Sequence, residues 1–304
     1  MKYNAHDLMN MHLPEPKWAV PNLLPEGLNL LAGKPKIGKS IFSLNISISI
    51  ATGTQALGKI DVKQGSVLYL ALEDTQRRLQ SRLKTMLHGK PAPNNLYFAN
   101  EWKRMDNGGL EDLKQSIETI PTLRLVIIDT LAKIKSSNNN NYNVYDADYS
   151  NVSAIKQLSD RYGISILLVH HFRKFQSDDI MDDFSGSFGL TGAADNLLAL
   201  KHRSGQADAE LHIVGRDIES SVYALKYHPN TWSWEILGDN SEFKRNAQMQ
   251  TIYDILKSSD KPLTPKDILS KTSIKRATVM KILKQLLDEG SIMKTGYGEY
   301  APIP

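Results

Sequence analysis

Two glycines, a lysine and a serine stand between an apolar run and an amphipathic run in GKPKIGKS, residues 33–40. Gly33, Gly38, Lys39 and Ser40 have the spacing G-x-x-x-x-G-K-[ST], with a predicted strand before them and a predicted helix after them. Glycines let the backbone curl so that successive N–H groups point inward, and the start of the helix adds its positive end. The pattern predicts a loop that binds a polyphosphate, rather than an ordinary glycine-rich turn.

Two residues at the end of this loop have separate predicted roles. Lys39 is predicted to reach the β- and γ-phosphates of a nucleotide, and the Ser40 hydroxyl is predicted to ligate Mg²⁺. The predicted nucleotide-binding set is one continuous segment, made of Gly33, Lys34, Pro35, Lys36, Ile37, Gly38, Lys39, Ser40 and Ile41.

Carboxylates follow two other apolar runs. Asp129 ends RLVIID, and Glu73 follows SVLYLAL. Because a doubly wound sheet opens its crevice at the carboxyl ends of its strands, we expect both side chains near the loop. Asp129 is predicted to bind Mg²⁺, with a helix cap as the alternative. Glu73 is predicted to act as the general base toward the water that attacks the γ-phosphate, with an exposed turn residue as the alternative.

Nearly continuous apolar runs alternate with helical patterns from residue 28 to about residue 200. This pattern is typical of parallel strands buried on both faces, so the predicted fold class is α/β. The predicted strands are 28–32, 66–72, 124–129, 164–170 and 196–200. The predicted helices are Ser40–Thr52, Thr75–Leu87, Gly109–Thr119 and Asp148–Tyr162. Antiparallel strands are expected at 209–217, 221–229 and 231–237, where they extend one edge of the mostly parallel sheet.

A second, smaller domain is predicted at the C-terminal end. Its order of helix, turn, helix, turn, helix and hairpin is that of a winged helix. Lys275 and Arg276 lie on the third of these helices, where such folds contact DNA, although winged helices also bind proteins. The predicted division is an N-terminal extension at 1–17, the α/β domain at 18–238, a linker at 239–248 and the winged helix at 249–304.

Composition excludes several classes of site. The chain has 304 residues, a formal net charge of +4 and no cysteine, which removes disulfides and thiolate chemistry. No apolar run approaches the roughly 18 residues of a membrane span, and no secretory signal is apparent. We therefore expect a cytoplasmic protein with no membrane partner.

Six segments, in order, resemble the RecA-like P-loop ATPases of the RepA-type hexameric replicative DNA helicase group. They are GKPKIGKS, LALED, LVIID, LLVHHFRK, GLTGAAD and GRD. The likeness extends from about Trp18 to Ile236. It implies a RecA-like core, with ATP and Mg²⁺ as cofactors, that hydrolyses ATP at subunit interfaces of a ring while moving along single-stranded DNA.

The resemblance also implies roles for individual residues. Glu73 matches the catalytic base and Asp129 the Walker B aspartate. His171, with His170 as the alternative, matches the position that senses the γ-phosphate. Arg216 matches the arginine finger that completes a neighbouring subunit's site. Without the resemblance, a histidine at a strand end is more often structural, and an Arg-Asp pair usually forms a local salt bridge.

The implied partners are DNA and other proteins. Arg173 and Lys174 lie in the loop that faces the central channel in this family, where they are expected to contact single-stranded DNA. The chain is expected to assemble with itself as a ring, with a hexamer as the expected size, and a replication initiator or primase is a further candidate partner. Two alternatives stay open, namely a DNA-binding replication regulator switched by ATP and a recombinase-like ATPase of the RecA family.

Overall fold

The structure is a computed structural model, and it describes residues 2–134, 144–171, 188–202, 207–259 and 261–303. The chain divides into two compact units between Ile236 and Leu237. That division lies two residues before the predicted end of the α/β domain at residue 238. Within the described ranges, no helix is long and apolar enough to cross a membrane.

The first unit is built on a large central sheet preceded by a short antiparallel hairpin. The hairpin consists of β1 (Trp18–Val20) and β2 (Leu24–Pro25). The sheet strands are β3 (Gly27–Gly33), β4 (Ser66–Ala71), β5 (Leu96–Ala99), β6 (Leu123–Asp129), β7 (Ser165–His171), β8 (Asn196–His202), β9 (Ala209–Gly215), β10 (Ser221–His228) and β11 (Ser233–Asp239).

The described strands of the sheet have the order β11-β10-β9-β8-β3-β7-β6-β4-β5. The pairs from β8 through β3, β7, β6 and β4 to β5 are all parallel. The pairs β8–β9 and β9–β10 are antiparallel. This confirms the predicted mostly parallel sheet with antiparallel strands at one edge. The carboxyl ends of β3, β4, β6 and β7 consequently lie along the same side of the sheet.

Helices cover both faces of the sheet. The helices of this unit are α1 (Ala5–Met9), which buries no residue, α2 (Lys39–Thr52), α3 (Gln76–Leu87), α4 (Leu110–Thr119), α5 (Val144–Tyr162) and α6 (Phe188–Ala193). Residues of α2 and α3 pack on one face, and residues of α4 and α5 pack on the other. In β6, Leu125 and Ile127 enter the first core, whereas Val126 and Ile128 enter the second. This alternation is the two-residue period of a strand buried on both faces.

The sequence predictions for this unit agree with the structure to within a few residues at most ends. The predicted strands between residues 28 and 200 each correspond to an observed strand whose ends differ by no more than two residues. Thr75 accepts the Arg78 backbone N–H and caps α3, as its type suggests. Three short elements, β5, α1 and the β1–β2 hairpin, were not predicted.

The second unit contains three helices and a hairpin within its described residues. The helices are α7 (Asn240–Lys257), α8 (Pro265–Ser270) and α9 (Arg276–Asp288), and the hairpin strands are β12 (Ile292–Gly296) and β13 (Glu299–Pro302). Apolar side chains from all three helices and both strands form its core. A capping box between Thr264 and Asp267 fixes the start of α8. These elements follow the order predicted for a winged helix.

The structure corrects one prediction, the linker at residues 239–248. The structure begins α7 at Asn240, so almost all of this segment is helical. Residues 240–248 are polar but contain no glycine or proline, and they include the helix-forming types Glu, Lys, Arg, Ala and Gln. Polarity alone therefore did not identify a linker, because a polar segment without glycine or proline can also begin a helix.

Candidate nucleotide-binding site

The phosphate loop lies between the carboxyl end of β3 and the start of α2. Gly38 is the N-cap of α2 and has φ 100°, a left-handed conformation that side chains disfavour. A Cβ atom at Gly38 would lie 3.0 Å from the Trp234 ring, and one at Gly33 would lie 2.7 Å from the Leu200 carbonyl oxygen. Gly38 is therefore required by its left-handed conformation and its contact with Trp234. Gly33 is required by its close approach to the Leu200 carbonyl oxygen.

Strand β11 supports this loop through a contact that was not predicted. Asn45 on α2 donates from Nδ2 to the Trp232 carbonyl oxygen at 3.1 Å and accepts the Trp234 backbone N–H at Oδ1 at 2.9 Å. The Trp234 indole Nε1 lies 3.4 Å from the Gly38 carbonyl oxygen. Because the indole is 5% exposed and rests on Gly38, it limits how far the loop can move.

Lys39 is buried inside the loop. Its Nζ donates to the carbonyl oxygens of Gly33 at 2.9 Å and Lys34 at 3.0 Å. Burial lowers the pKa of Lys39 to about 8, against the opposing influence of the Asp129 and Glu73 carboxylates. A buried cation inside a curled backbone is a suitable environment for phosphate oxygens, so the residues present fit a polyphosphate.

Asp129 ends β6 and is 5% exposed. The Tyr69 hydroxyl on β4 donates to Asp129 Oδ2 at 2.8 Å and lies 3.4 Å from the Ser40 carbonyl oxygen. Burial first, and then the Asp129 charge, raise the pKa of Tyr69 well above its ordinary value, so the hydroxyl remains a donor. Tyr69 was not singled out from the sequence, although a buried tyrosine usually requires a hydrogen-bond partner.

The two acidic residues after β4 have different surroundings. Asp74 accepts from Arg78 Nη1 at 3.1 Å and pairs with Arg82, so its charge is engaged at the start of α3. Glu73 is exposed. Asn100 Nδ2 donates to the Asp74 carbonyl oxygen at 2.9 Å, which fixes the turn that positions Glu73. Glu73 is therefore the better candidate for contact with a reacting water.

The end of β7 places the predicted sensor beside the phosphate loop. In the parallel pairing of β3 and β7, Ala32 is opposite His170 and Gly33 is opposite His171. His170 is partly exposed, and the side chain of His171 lies outside what the structure describes. The backbone thus brings His171 next to the first glycine of the loop. The predicted DNA contacts at 173 and 174 also lie outside the described residues.

Arg216 forms contacts within its own chain. Its Nη1 lies 3.6 Å from Asp195 Oδ1, and its Nη2 donates to the Gly192 carbonyl oxygen at 3.1 Å. Asp195 also accepts from Lys156 Nζ at 2.6 Å. The Arg216 side chain is nevertheless 59% exposed. The salt bridge is thus formed with Asp195, rather than with the adjacent Asp217 of the Arg-Asp pair, and the guanidinium is at the surface.

Arg216 lies near the amino-terminal ends of the parallel strands, on the side of the sheet opposite their carboxyl ends and the phosphate loop. It follows Gly215, which pairs with Asn196, and Asn196 in turn pairs with Asn29 near the start of β3. From Asn29 to Gly33 the strand covers roughly 13 Å, at about 3.3 Å per residue. The structure therefore brings Lys39, Asp129 and Glu73 together, but it does not bring Arg216 to the same site.

The two residues predicted to bind DNA in the second unit lie at exposed positions. Lys275 is the N-cap of α9 and Arg276 is its first residue, and both are exposed.

Among the described residues, no group of three or more acidic or histidine side chains can hold a metal ion. A Mg²⁺ site at Ser40 and Asp129 would accordingly draw its other ligands from phosphate oxygens and water, which suits the octahedral preference of this ion.

Comparison with known families decides the classification. A family model described as an AAA domain matches residues 2–177, which is more than half of the chain. The chain belongs to the AAA domain family. A second model, described as the TBPIP/Hop2 winged helix domain, matches residues 247–301 of this AAA protein. No curated protein sequence matches the chain.

The solved structures that resemble the AAA protein include two with ATPase or helicase descriptions. The first, described as an ATPase domain, has a TM-score of 0.58 and 15% identity, over 70% of this chain and 85% of that one. The second, a DnaB-like replicative helicase described with its interactions with primase, has a TM-score of 0.57 and 15% identity, over 69% of this chain and 58% of that one. At this identity the likeness shows the fold, and it confirms the predicted RecA-like core. The AAA family and this fold together support an ATPase.

Substitution of Gly38 by alanine tests the loop geometry. The change forces a left-handed alanine, at a cost of about 1–2 kcal/mol, and a contact with Trp234, so we expect nucleotide affinity to fall by about tenfold or more. Gly53 ends the same helix with φ 69° and provides the matched control. Fluorescent-nucleotide titration should show normal binding by Gly53→Ala, and equal affinities for the two variants would contradict the assigned geometry.

The lowered pKa of Lys39 predicts a pH dependence of nucleotide binding. The ammonium is present below about pH 8 and is lost as pH rises through that value. Since bound phosphates favour the ammonium, affinity should fall above pH 8 by up to about tenfold per unit, with proton uptake on binding. Calorimetry in two buffers measures that uptake. Lys39→Arg keeps its charge and should show no such decline, whereas an identical decline would assign the effect to another group.

Proposed function

We propose that this AAA protein is a ring-forming replicative DNA helicase that moves along single-stranded DNA and hydrolyses ATP at its subunit interfaces. The main support is the separation of its charged groups. Lys39, Asp129 and Glu73 converge on one side of the sheet, whereas the exposed Arg216 lies on the other side. A chain arranged in this way can supply the arginine for a neighbour's site but not for its own.

The phosphate loop is proposed to hold the β- and γ-phosphates of ATP. Lys39 exchanges its two carbonyl acceptors, Gly33 and Lys34, for phosphate oxygens, so little rearrangement is needed to place the charge. The backbone N–H groups between Lys34 and Ile41, except at Pro35, which has none, would surround the phosphates together with the positive end of α2. Ser40 and Asp129 would hold Mg²⁺, which neutralises charge on the phosphates when bound.

Glu73 is proposed to accept a proton from the attacking water. It is the first acidic residue after β4, on the side of the sheet that holds the phosphate loop, and its turn is fixed by Asn100. Asp74, the next residue, pairs with Arg78 and Arg82 at the start of α3. We propose that His171, opposite Gly33 in the sheet, senses the γ-phosphate.

Arg216 is proposed to act on the ATP of the adjacent subunit. Such a finger stabilises charge that develops on the transferring phosphoryl group. In a ring that closes by rotation, each subunit presents one surface to a different surface of the next, so opposite sides of the sheet can meet. We propose a hexamer, with Arg173 and Lys174 contacting single-stranded DNA and with a replication initiator or primase as a further partner.

A second function, a DNA-binding regulator switched by ATP, is favoured by the C-terminal unit. Its α9 exposes Arg276, Lys281 and Lys284, and the N-cap residue Lys275 is exposed as well. An exposed basic helix in a winged-helix order is suited to phosphate contacts on duplex DNA. In this alternative, ATP controls assembly and no strand is displaced.

One experiment separates the two functions. Single-stranded DNA should raise the ATP turnover of the wild-type chain, and the same preparation should displace a labelled strand from a forked duplex. Lys39→Ala should abolish both activities, while Lys275→Ala with Arg276→Ala should leave turnover on single-stranded DNA intact. ATP-dependent assembly on duplex DNA with neither stimulation nor displacement would reject the helicase and support the regulator.

A further inference from the structure

Tyr69 has a contact that the roles described above do not use. It lies on β4, is 2% exposed, and its ring centroid is 5.8 Å from that of Phe98 on β5. Its hydroxyl reaches Asp129 Oδ2 at 2.8 Å, within ordinary hydrogen-bond distance. The aromatic ring is therefore held by the core, while its polar end lies at the candidate metal site.

The strand register explains why this residue reaches Asp129. Asp129 is opposite Ala71 in the β4–β6 pairing, and Tyr69 is two residues before Ala71 on the same face of β4. The length of a phenol ring covers that offset along the strand. A shorter donor such as serine at position 69 would not span it, so the contact depends on tyrosine.

The hydroxyl also lies near the backbone of Ser40, whose side chain is the other proposed metal ligand. Its oxygen is 3.4 Å from the Ser40 carbonyl oxygen, compared with 2.8 Å from the Asp129 carboxylate. A hydroxyl donates one proton, and the closer, charged acceptor takes it. Engagement of Oδ2 fixes the rotation of the carboxylate beside the start of α2.

We propose that Tyr69 is a positioning residue that holds the Asp129 carboxylate beside Ser40 for Mg²⁺ that accompanies the nucleotide. Partners of a metal ligand commonly set its orientation, and their loss costs about 10–100-fold in metal affinity. This inference depends on the proposed nucleotide site. It concerns the magnesium requirement and is separate from the affinity of the loop for phosphates.

Tyr69→Phe tests the inference because it removes the hydroxyl and keeps the ring. Fluorescent nucleotide is held at a fixed concentration while Mg²⁺ is titrated, and binding is also measured in the presence of a chelator. We expect the Mg²⁺ midpoint of Tyr69→Phe to rise by about tenfold or more, with unchanged binding in chelator. Tyr97→Phe, on the adjacent β5 and 37% exposed, is the matched control and should keep the wild-type midpoint.

The Asp129→Asn background gives a second readout. Once the carboxylate is absent, adding Tyr69→Phe should not move the Mg²⁺ midpoint further, because the two residues act through one contact. Thermal unfolding establishes that each variant is folded at the assay temperature. If Tyr69→Phe does not fold, Tyr69→Met removes the donor with a side chain that repacks readily.

The outcomes distinguish this inference from the proposed function. A wild-type midpoint for Tyr69→Phe overturns the positioning role, and so does an equal loss of affinity with and without Mg²⁺, which indicates general damage. If the wild-type chain fails to bind nucleotide with Mg²⁺, the proposed nucleotide site itself is wrong. A selective rise in the midpoint, absent in the Asp129→Asn background, supports the assignment.

Discussion

A buried cation needs compensating groups nearby, and the Lys39 ammonium imposes this requirement on one side of the sheet. Two loop carbonyl oxygens accept from it, and the Asp129 and Glu73 carboxylates act against the lowering of its pKa. Parallel strands supply these groups because their carboxyl ends lie together. The same arrangement suits the proposed phosphate binding, since phosphate oxygens could replace the carbonyl oxygens around a charge that is already in place.

The opposite side of the sheet has a complementary property. Arg216 is exposed there, yet Asp195 and the Gly192 carbonyl oxygen limit the directions in which its guanidinium can point. Asp195 is also paired with Lys156, so it does not neutralise Arg216 alone. An oriented, partly compensated cation at a surface is suited to an anionic partner on another molecule. Separation of the two sides by the length of β3 is what makes a second subunit necessary in the proposed mechanism.

Much of this arrangement could be predicted from local sequence. The phosphate loop, the carboxylates after β4 and β6, and the change from parallel to antiparallel strands each have a short-range pattern. The contacts that position the side chains of the site have no such short-range pattern. Tyr69 meets Asp129 across 60 positions, and Trp234 meets Gly38 across 196. Such contacts depend on strand order and register, which a single sequence does not specify. The start of α7 was missed for a different reason, because a polar helix start resembles a linker.

The claim that adjacent subunits complete each active site is tested most directly by mixing two defective chains. Arg216→Ala retains Glu73, and Glu73→Gln retains Arg216, so each should bind ATP but fail to hydrolyse it alone. In a randomly mixed ring with equal amounts of both, about a quarter of the interfaces combine an intact Glu73 with an intact Arg216. We predict that mixing restores up to about that fraction of wild-type turnover. No recovery on mixing, or wild-type turnover by Arg216→Ala alone, would contradict catalysis between subunits.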